Sequence, residues 1–381
     1  MIFIAFKRLF WLWLAAQSAA AYAWDNNHNG LWDELEAFHV GDTLEMNWVE
    51  SAQERFRDLA LSREIDQTLV AGLNCDRLAE HPSDPKKRFD GVVWEKLQSK
   101  EAIAVCQLAV QTFPSASKWQ YQLGRVLFAD MQCDRAYQHF LQALILNDPR
   151  GAYGLGIMYQ EDKHSCGHND QQAVYWYQKA AEQGNVVAQF NLGVMYDEGS
   201  GVPQDGKQAV YWYQKAAEQG YLGAQYNLGL MYENGRGVPK DDKQAVYWFQ
   251  KAAEQGYAGA QYNLGLMYAE GRGVPQDDKQ AVSWFQKVAE QGYAGAQYNL
   301  GVMYENGRGV PQDDKQAVSW FQKSAEQGDA DAQYILGYMY AEGRGVPQDD
   351  KQAVSWFQKA AEQGFAKAQN ILRAVKFSDC R

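Results

Sequence analysis

The amino-acid sequence predicts an all-α protein, a right-handed α-solenoid of stacked antiparallel helix pairs. First, the text that begins Ala224-Gln-Tyr-Asn-Leu-Gly returns every 36 residues. Second, the apolar residues within one copy recur at spacings of three and four, as on one face of an α-helix. Third, Gly and Pro residues divide each copy into two halves. A fixed period of this length is typical of stacked supersecondary units. The copies open at Ala188, Ala224, Ala260, Ala296, Ala332 and Ala368.

The first half of a copy, which we call helix A, is predicted from the spacing of Ala224, Leu228, Met231 and Tyr232. Gly229 interrupts this helix at a cost of about 1 kcal/mol in helix propensity. We therefore expect Gly229 to allow close helix packing. The tyrosines that end the pattern are expected in the core, and they are Tyr196, Tyr232, Tyr268, Tyr304 and Tyr340.

A loop and a second helix, helix B, complete the copy. The loop Gly235-Arg-Gly-Val-Pro239 ends helix A, because two Gly and one Pro interrupt regular structure. Asp241 or Asp242 is expected to cap helix B, with Gln244 completing a capping box. Ala245, Trp248, Phe249, Ala252 and Ala253 then form the apolar stripe of helix B. Gly256 is expected to end the helix in the left-handed conformation.

Three motifs of this copy resemble the Sel1-like repeat, a relative of the tetratricopeptide repeat. They are the Ala-x-x-x-Leu-Gly-x-x-Tyr of helix A, the Gly-x-Gly-Val-Pro-x-Asp loop, and the Ala-x-x-Trp…Ala-Ala-x-x-Gly of helix B. The resemblance extends over residues 152–372. It implies a tetratricopeptide-like array and a scaffold that binds a protein or peptide on its concave side, which helix A lines.

The N-terminal residues 1–23 are expected to form a signal peptide. Lys7 and Arg8 precede an apolar stretch over residues 9–16, and Ala21-Tyr22-Ala23 matches the small-x-small cleavage rule. The alternative is an uncleaved anchor, but the apolar stretch is shorter than the roughly 20 residues that a membrane span needs. We therefore expect export across the inner membrane, a periplasmic location and no stable span after cleavage.

The remaining chain divides into four predicted regions. An acidic, partly helical extension covers residues 24–99. Degenerate tetratricopeptide-like repeats cover 100–150, where Leu123-Gly124 repeats the helix A pattern. Sel1-like repeats cover 151–367. A C-terminal capping helix covers 368–381, with the polar outer surface that an end cap requires.

Five cysteines fit an exported protein, in which disulfides persist. Cys75 and Cys106 flank the first predicted hairpin, and Cys133 and Cys166 are nearly one repeat apart in consecutive loops that stack along one edge. We expect both pairs to form disulfides, which leaves Cys380 over. The alternative for Cys106 is a buried free thiol on an apolar helical face.

A candidate calcium site follows the predicted cleavage point. Asp25, Asn27, Asn29, Asp33 and Glu36 have the spacing of EF-hand ligands, and Gly30 stands at the turn position. However, Trp32 and Ala37 depart from the EF-hand pattern, and the entering helix would be the signal peptide. A polar N-terminus that caps the following helix explains the same residues. We predict no cofactor other than this calcium ion.

Composition and repetition argue against nucleic-acid binding and catalysis. The 381 residues carry a net charge of −11, without the basic cluster that nucleic acid requires. Residues 260–295 and 296–331 differ at only six positions, so this surface is periodic, whereas an active site needs unique convergent residues. The alternative function is a cell-envelope hydrolase or β-lactam-interacting protein, since Ser115-x-x-Lys118 matches one β-lactamase motif, although its companion motifs are absent.

One loop could hold a metal. His164, Cys166 and His168 alternate in it, but the spacing is not that of a zinc finger. A solvated loop with a disulfide explains the same residues.

By resemblance to tetratricopeptide arrays, the positions two before and two after each helix A leucine face the partner. The first row contains Tyr226, Tyr262, Tyr298 and Tyr334. The second row contains Leu230, Leu266, Val302 and Tyr338. Asn227, Asn263 and Asn299 lie beside the first row, and their amides can pair with a peptide backbone. The alternative for the tyrosines is packing within the array. Arg236, Arg272, Arg308 and Arg344 form a ladder along the loops, which nearby acids are expected to neutralise.

Overall fold

The computed structural model describes Cys75 and residues 99–161 and 166–378, without the side chains of Ser99 and of residues 375–378. The predicted signal peptide, the candidate calcium ligands Asp25, Asn27, Asn29, Asp33 and Glu36, most of the acidic extension, His164 and Cys380 lie outside this part of the chain.

The described residues form sixteen α-helices and no strand, so the predicted all-α class of repeated helix pairs is confirmed. Their bounds are α1 Ser99–Thr112, α2 Ser117–Ala129, α3 Cys133–Ile145, α4 Pro149–Gln160, α5 Asp170–Glu182, α6 Val186–Glu198, α7 Gly206–Glu218, α8 Leu222–Asn234, α9 Asp242–Glu254, α10 Ala258–Glu270, α11 Asp278–Glu290, α12 Ala294–Asn306, α13 Asp314–Glu326, α14 Ala330–Glu342, α15 Asp350–Glu362 and α16 Ala366–Ser378.

The chain divides into two compact units, the first ending at Ala180 and the second beginning at Ala181. In the first unit α2 packs against α1, α3 and α4. The buried Phe140 ring of α3 fills the space that glycines leave in α2 and α4. A Cβ atom at Gly124 would lie 2.6 Å from this ring, and one at Gly154 would lie 2.5 Å from it. The glycines in α2 and α4 therefore both leave space for the same aromatic ring, that of Phe140 in α3.

Two disulfides join segments of the first unit. Cys75 pairs with Cys106, with Cα atoms 4.7 Å apart, and Cys133 pairs with Cys166, with Cα atoms 5.5 Å apart. Both pairings expected from the sequence are confirmed, and Cys106 is not a free thiol.

In the second unit each A helix packs against the B helix that follows it, and each B helix packs against the next A helix. Ala224, Leu228 and Met231 are fully buried, as the periodicity predicts. Tyr232 and its equivalents are less buried than expected. They are only partly buried and pack against the edges of the clusters that Leu and Met fill.

The Leu-Gly pair of helix A allows close packing, as expected. A Cβ atom at Gly229 would lie 2.6 Å from the Phe249 ring, so only glycine lets this ring rest on the helix backbone. Trp248 is also buried. The stripe of helix B thus packs against the backbone of helix A in its own copy.

Asp241 caps helix B, because its carboxylate accepts hydrogen bonds from the backbone N–H groups of Lys243 and Gln244. Only this half of the predicted capping box is observed. The backbone N–H of Asp241, which the Gln244 side chain would accept in a capping box, donates to the Tyr232 carbonyl at 3.0 Å. The loop is thereby fixed to the end of helix A. Gly256 has φ of 89°, the left-handed conformation expected at the C-terminus of helix B.

Candidate partner-binding face

The first row of tyrosines lies at the contacts between adjacent copies, which we call seams. Tyr226 is half-buried, with its ring centroid 5.8 Å from that of Phe249 in its own hairpin and 5.1 Å from that of Tyr257 at the next copy. Tyr262 is 5.9 Å from Phe285 and 5.3 Å from Tyr293. Each ring therefore packs within the array on one side and leaves its other side at the surface of helix A.

The asparagines beside this row bind tyrosine hydroxyl groups across a seam. The Asn299 amide donates to the Tyr262 hydroxyl at 3.1 Å, and Asn263 pairs with Tyr226 in the same way. Phe190 has no hydroxyl, and there Asn227 pairs with Tyr213 of helix B. Burial raises the pKa of Tyr226 and Tyr262, and each amide hydrogen bond partly opposes that increase.

These asparagines retain hydrogen-bonding capacity. A side-chain amide has two N–H groups and an oxygen with two lone pairs. Among the described residues, the one side-chain hydrogen bond of Asn299 uses a single N–H group. Asn299 therefore has one N–H group and its oxygen left for further hydrogen bonds.

The second row is also in place on the A helices. Leu230, Leu266 and Val302 are partly buried against the core of the following copy. Tyr338 differs, because 44% of its surface is exposed. We use the name helix A face for the two rows with their asparagines. Its members are Tyr226, Asn227, Leu230, Tyr262, Asn263, Leu266, Tyr298, Asn299, Val302, Tyr334 and Tyr338.

The pairing of Asn with Tyr across the seam was not predicted from the sequence. A signal for it exists, because each Tyr–Asn pair is separated by 37 residues, one more than the repeat. At the seam where Phe190 replaces the tyrosine, Asn227 of the next copy is kept. The hydroxyl that Asn227 binds belongs to Tyr213, at a position where later copies have Phe249 or Phe285. This exchange between two positions indicates that they share one contact.

The arginine ladder is neutralised, as expected. Arg272 pairs with Glu233 of the preceding copy at 2.6 Å, and Arg344 pairs with Glu305 at 3.0 Å. Arg236 pairs with Asp197 and Arg308 with Asp278. These contacts join the loop of one copy to a helix end of the preceding copy and leave little net charge for an anion.

The other candidate sites have ordinary structural surroundings. Ser115 is exposed in the turn that precedes α2, as expected for a helix start. The Cys166 sulfur is in a disulfide, so it is not available as a thiolate ligand, and His168 Nδ1 lies 3.0 Å from the Gln160 carbonyl oxygen. Over the described ranges, no group of three or more His, Cys, Asp or Glu residues is placed to hold a metal ion.

The helix B side of the second unit carries exposed tyrosines of its own. Tyr247 is 49% exposed, with the Lys251 Nζ atom 5.6 Å from its ring centroid. Three later copies have Ser283, Ser319 and Ser355 at this position. The exposed tyrosines of this side are therefore confined to the earlier copies.

Every helix of the described part of the chain falls short of the length and hydrophobicity that a bilayer crossing requires.

The family model for the Sel1 repeat matches six consecutive segments, which together cover more than half of the chain. They are residues 149–185, 186–221, 223–257, 258–293, 294–329 and 330–365. A comparison with curated protein sequences gives no match.

Solved structures include similar proteins. The chain is 36% identical to c5321, a protective antigen of uropathogenic Escherichia coli strains that displays an SLR fold, with a TM-score of 0.65. That match covers 70% of this chain and 57% of c5321, so this chain spans little more than half of the length of c5321.

Two further structures give lower TM-scores. A Sel1 repeat protein from Oxalobacter formigenes is 38% identical over 50% of this chain and 81% of its own, with a TM-score of 0.47. Cysteine rich protein B of Helicobacter pylori is 32% identical over 35% of this chain and 95% of its own, with a TM-score of 0.29.

Proposed function

The chain belongs to the Sel1 repeat family, and we propose that it is an exported scaffold that binds a protein or peptide partner on the helix A face. Repeats of this family generally form scaffolds for protein interactions. By resemblance to tetratricopeptide arrays, the helix A face is the concave side of the array.

One observation carries the proposal: the helix A face repeats partly exposed tyrosine and aliphatic side chains at a fixed period. Tyrosine offers a large apolar contact area with a polar tip, and it is enriched at positions that dominate binding energy. Tyr338 is the most exposed member of the second row. A regular series of such positions suits an extended segment that contacts successive copies.

Export is supported by the two disulfides. Cys75–Cys106 and Cys133–Cys166 fit an extracytoplasmic protein, because cytosolic thiols are normally kept reduced. Together with the predicted signal peptide over residues 1–23, they support our proposal of a periplasmic location.

We propose a non-catalytic role. The near-identical copies repeat one surface, and the motif residue Ser115 lies in an exposed turn. No specific observation favours the hydrolase alternative. Calcium binding by Asp25 and its neighbours stays a prediction, tested by a calcium-dependent shift in melting temperature that Asp25→Ala removes.

The test compares two tyrosines of similar exposure on different sides of the array. Crosslinking in intact cells and affinity capture identify proteins bound to the wild-type chain. Tyr338→Ala removes an exposed side chain from the helix A face, and Tyr247→Ala removes one from the helix B side. We expect Tyr338→Ala to weaken capture at least about tenfold, the loss typical of a residue that dominates an interface. Tyr247→Ala should leave capture unchanged.

Both variants should keep the melting temperature of the wild type, because neither side chain is buried. Tyr262→Ala is less suitable, since its ring packs on Phe285 and Tyr293 and its loss would also weaken the seam. Capture that survives Tyr338→Ala but is lost in Tyr247→Ala would place the partner on the helix B side and contradict the proposal.

A further inference from the structure

The seam between α12 and α14 departs from the repeat pattern at three positions together. The aromatic residue that flanks the first tyrosine row is replaced by Asp329, a helix A glycine by Asp331, and the pairing asparagine by Ile335. We call this contact the Tyr298 seam. The residues that occupy these positions in preceding copies are Tyr221, Tyr257 and Tyr293; Gly223, Gly259 and Gly295; and Asn227, Asn263 and Asn299.

These changes leave Tyr298 with fewer neighbours than the other tyrosines of its row. Its ring keeps the contact with Phe321 of its own hairpin, at 5.8 Å between centroids. The flanking aromatic ring is missing, because Asp329 stands in its place. Ile335 cannot donate the hydrogen bond that Asn299 gives to Tyr262. Among the described residues, no hydrogen bond reaches the Tyr298 hydroxyl.

The charge at the Tyr298 seam is negative. Burial raises the pKa of Tyr298, and Asp331, Asp329 and Glu305 add to the increase. The Asp329 carboxylate accepts the backbone N–H of Ala332 at 2.7 Å, and Glu305 is paired with Arg344. Asp331 is exposed and has no ion pair within the described part of the chain.

The last seam, between α14 and α16, shows which group a side chain at the position of Asp331 can reach. Lys367 stands 36 residues after Asp331, and its Nζ atom lies 6.0 Å from the ring centroid of Tyr334, the next tyrosine of the row. A side chain at this position thus brings its charged group to the tyrosine ring of the preceding copy. At the last seam the chain supplies the cation itself, whereas at the Tyr298 seam it supplies a carboxylate.

We propose that the Tyr298 seam binds the cationic group of a lysine or arginine side chain of the partner protein. Asp331 is the opposing charge, the Tyr298 ring provides a cation–π contact, and the Tyr298 hydroxyl accepts an N–H group. This inference rests on the proposed function and specifies a basic segment as its partner.

The experiment measures binding of a fluorescein-labelled hexalysine peptide to the purified protein by fluorescence anisotropy. Asp331→Asn removes the carboxylate charge, and Asp331→Lys reproduces the arrangement of the last seam. Asp350→Asn is the matched control, because Asp350 is an exposed aspartate at the start of helix B and its loss changes the net charge equally. We expect Asp331→Asn to weaken binding about three- to fivefold, as for one exposed charge contact. Asp331→Lys should abolish measurable binding, and Asp350→Asn should change it less than about twofold.

Asp331→Gly is a second variant that removes the carboxylate. It should fold as the wild type does, because glycine occupies this position in three other copies and is compatible with the helix. Equal losses in Asp331→Asn and Asp350→Asn would show that only net charge matters and would overturn the inference. Capture of the cellular partner separates this result from the proposed function. Loss of capture in Tyr338→Ala but not in Asp331→Lys would reject the cation site and keep the helix A face. Unchanged capture in Tyr338→Ala would reject the helix A face itself.

Discussion

At the scale of single residues, a buried glutamine ties five of the A helices in the second unit to their neighbours. The side-chain N–H of Gln261 donates to the Ala253 carbonyl at the end of the preceding B helix, at 3.0 Å. Its side-chain oxygen accepts a hydrogen bond from Gln291, at the end of the following B helix. The same arrangement recurs at Gln189, Gln225, Gln297 and Gln333, and we call these residues together with Gln261 the glutamine ladder. A buried amide with both partners satisfied fixes the register of the stack.

Gln261→Ala should lower the free energy of unfolding by about 1–3 kcal/mol, because it removes two side-chain hydrogen bonds at the seam, one to the Ala253 carbonyl and one from Gln291. Gln250→Ala is the matched control, since Gln250 is exposed on helix B and its loss should cost less than about 0.5 kcal/mol. The urea midpoints of the two variants measure the difference. Equal midpoints would show that the glutamine ladder does not hold the seam.

A histidine in the first unit predicts a pH dependence. His139 Nδ1 lies 2.8 Å from the Gln120 side-chain oxygen. Burial lowers the pKa of His139 below its usual value of 6.5, and the charge of Arg135 lowers it further. As the pH falls through about 6.5, the unfolded chain binds a proton that the folded chain does not, so the folded state loses stability until the pH reaches the folded-state pKa.

We therefore expect the melting temperature of the wild type to fall between pH 7.5 and 5 by more than that of His139→Gln, which cannot take up the proton. Differential scanning calorimetry at matched ionic strength measures both profiles. Parallel profiles would mean that His139 titrates alike in the folded and unfolded chains.

At the scale of the elements, the loop between helices A and B depends on two glycines with different requirements. Gly307 and Gly309 have φ of 64° and 70°. A Cβ atom at Gly307 would lie 3.2 Å from the Cβ atom of Gln312 and 3.3 Å from its backbone nitrogen, both in its own loop. A Cβ atom at Gly309 would overlap the backbone carbonyl of Asp278 in the preceding copy. Gly309 is thus required both by the conformation of its own turn and by the close contact between two copies.

Gly307→Ala should cost about 1 kcal/mol, the cost of a left-handed conformation for a residue with a side chain. Gly309→Ala should cost clearly more, about 2–4 kcal/mol, because the backbone of two copies must also separate. Thermal melting of both variants gives the comparison. A loss at Gly309 no larger than the loss at Gly307 would contradict the observed packing between copies.

The elements themselves were largely predictable from the sequence. The spacing of Ala224, Leu228 and Met231 predicted the buried face, and Asp241 and Gly256 predicted where helix B begins and ends. These signals are local, because they act within one helix or one turn. The glutamine ladder was not predicted, since Gln261 is polar and its burial depends on partners in two other helices. The half-buried state of Tyr232 likewise depends on how the next copy is placed.

At the scale of the whole molecule, the two compact units differ in how they are held together. The first unit contains both disulfides, and its loops depart from the Gly-Val-Pro pattern. The second unit repeats one hairpin, with hydrogen bonds, ion pairs and apolar contacts at each seam. The family and fold class follow from this period, whereas the partner does not, because the side chains of the helix A face also pack within the array.

The most direct test of the account is photo-crosslinking in intact cells with benzoylphenylalanine at position 338 or position 247. Both positions hold tyrosines of similar exposure, so the probe is tolerated equally, and only the first lies on the helix A face. Partner binding on the helix A face predicts a protein adduct from position 338 and none from position 247. An adduct from position 247 alone would contradict it.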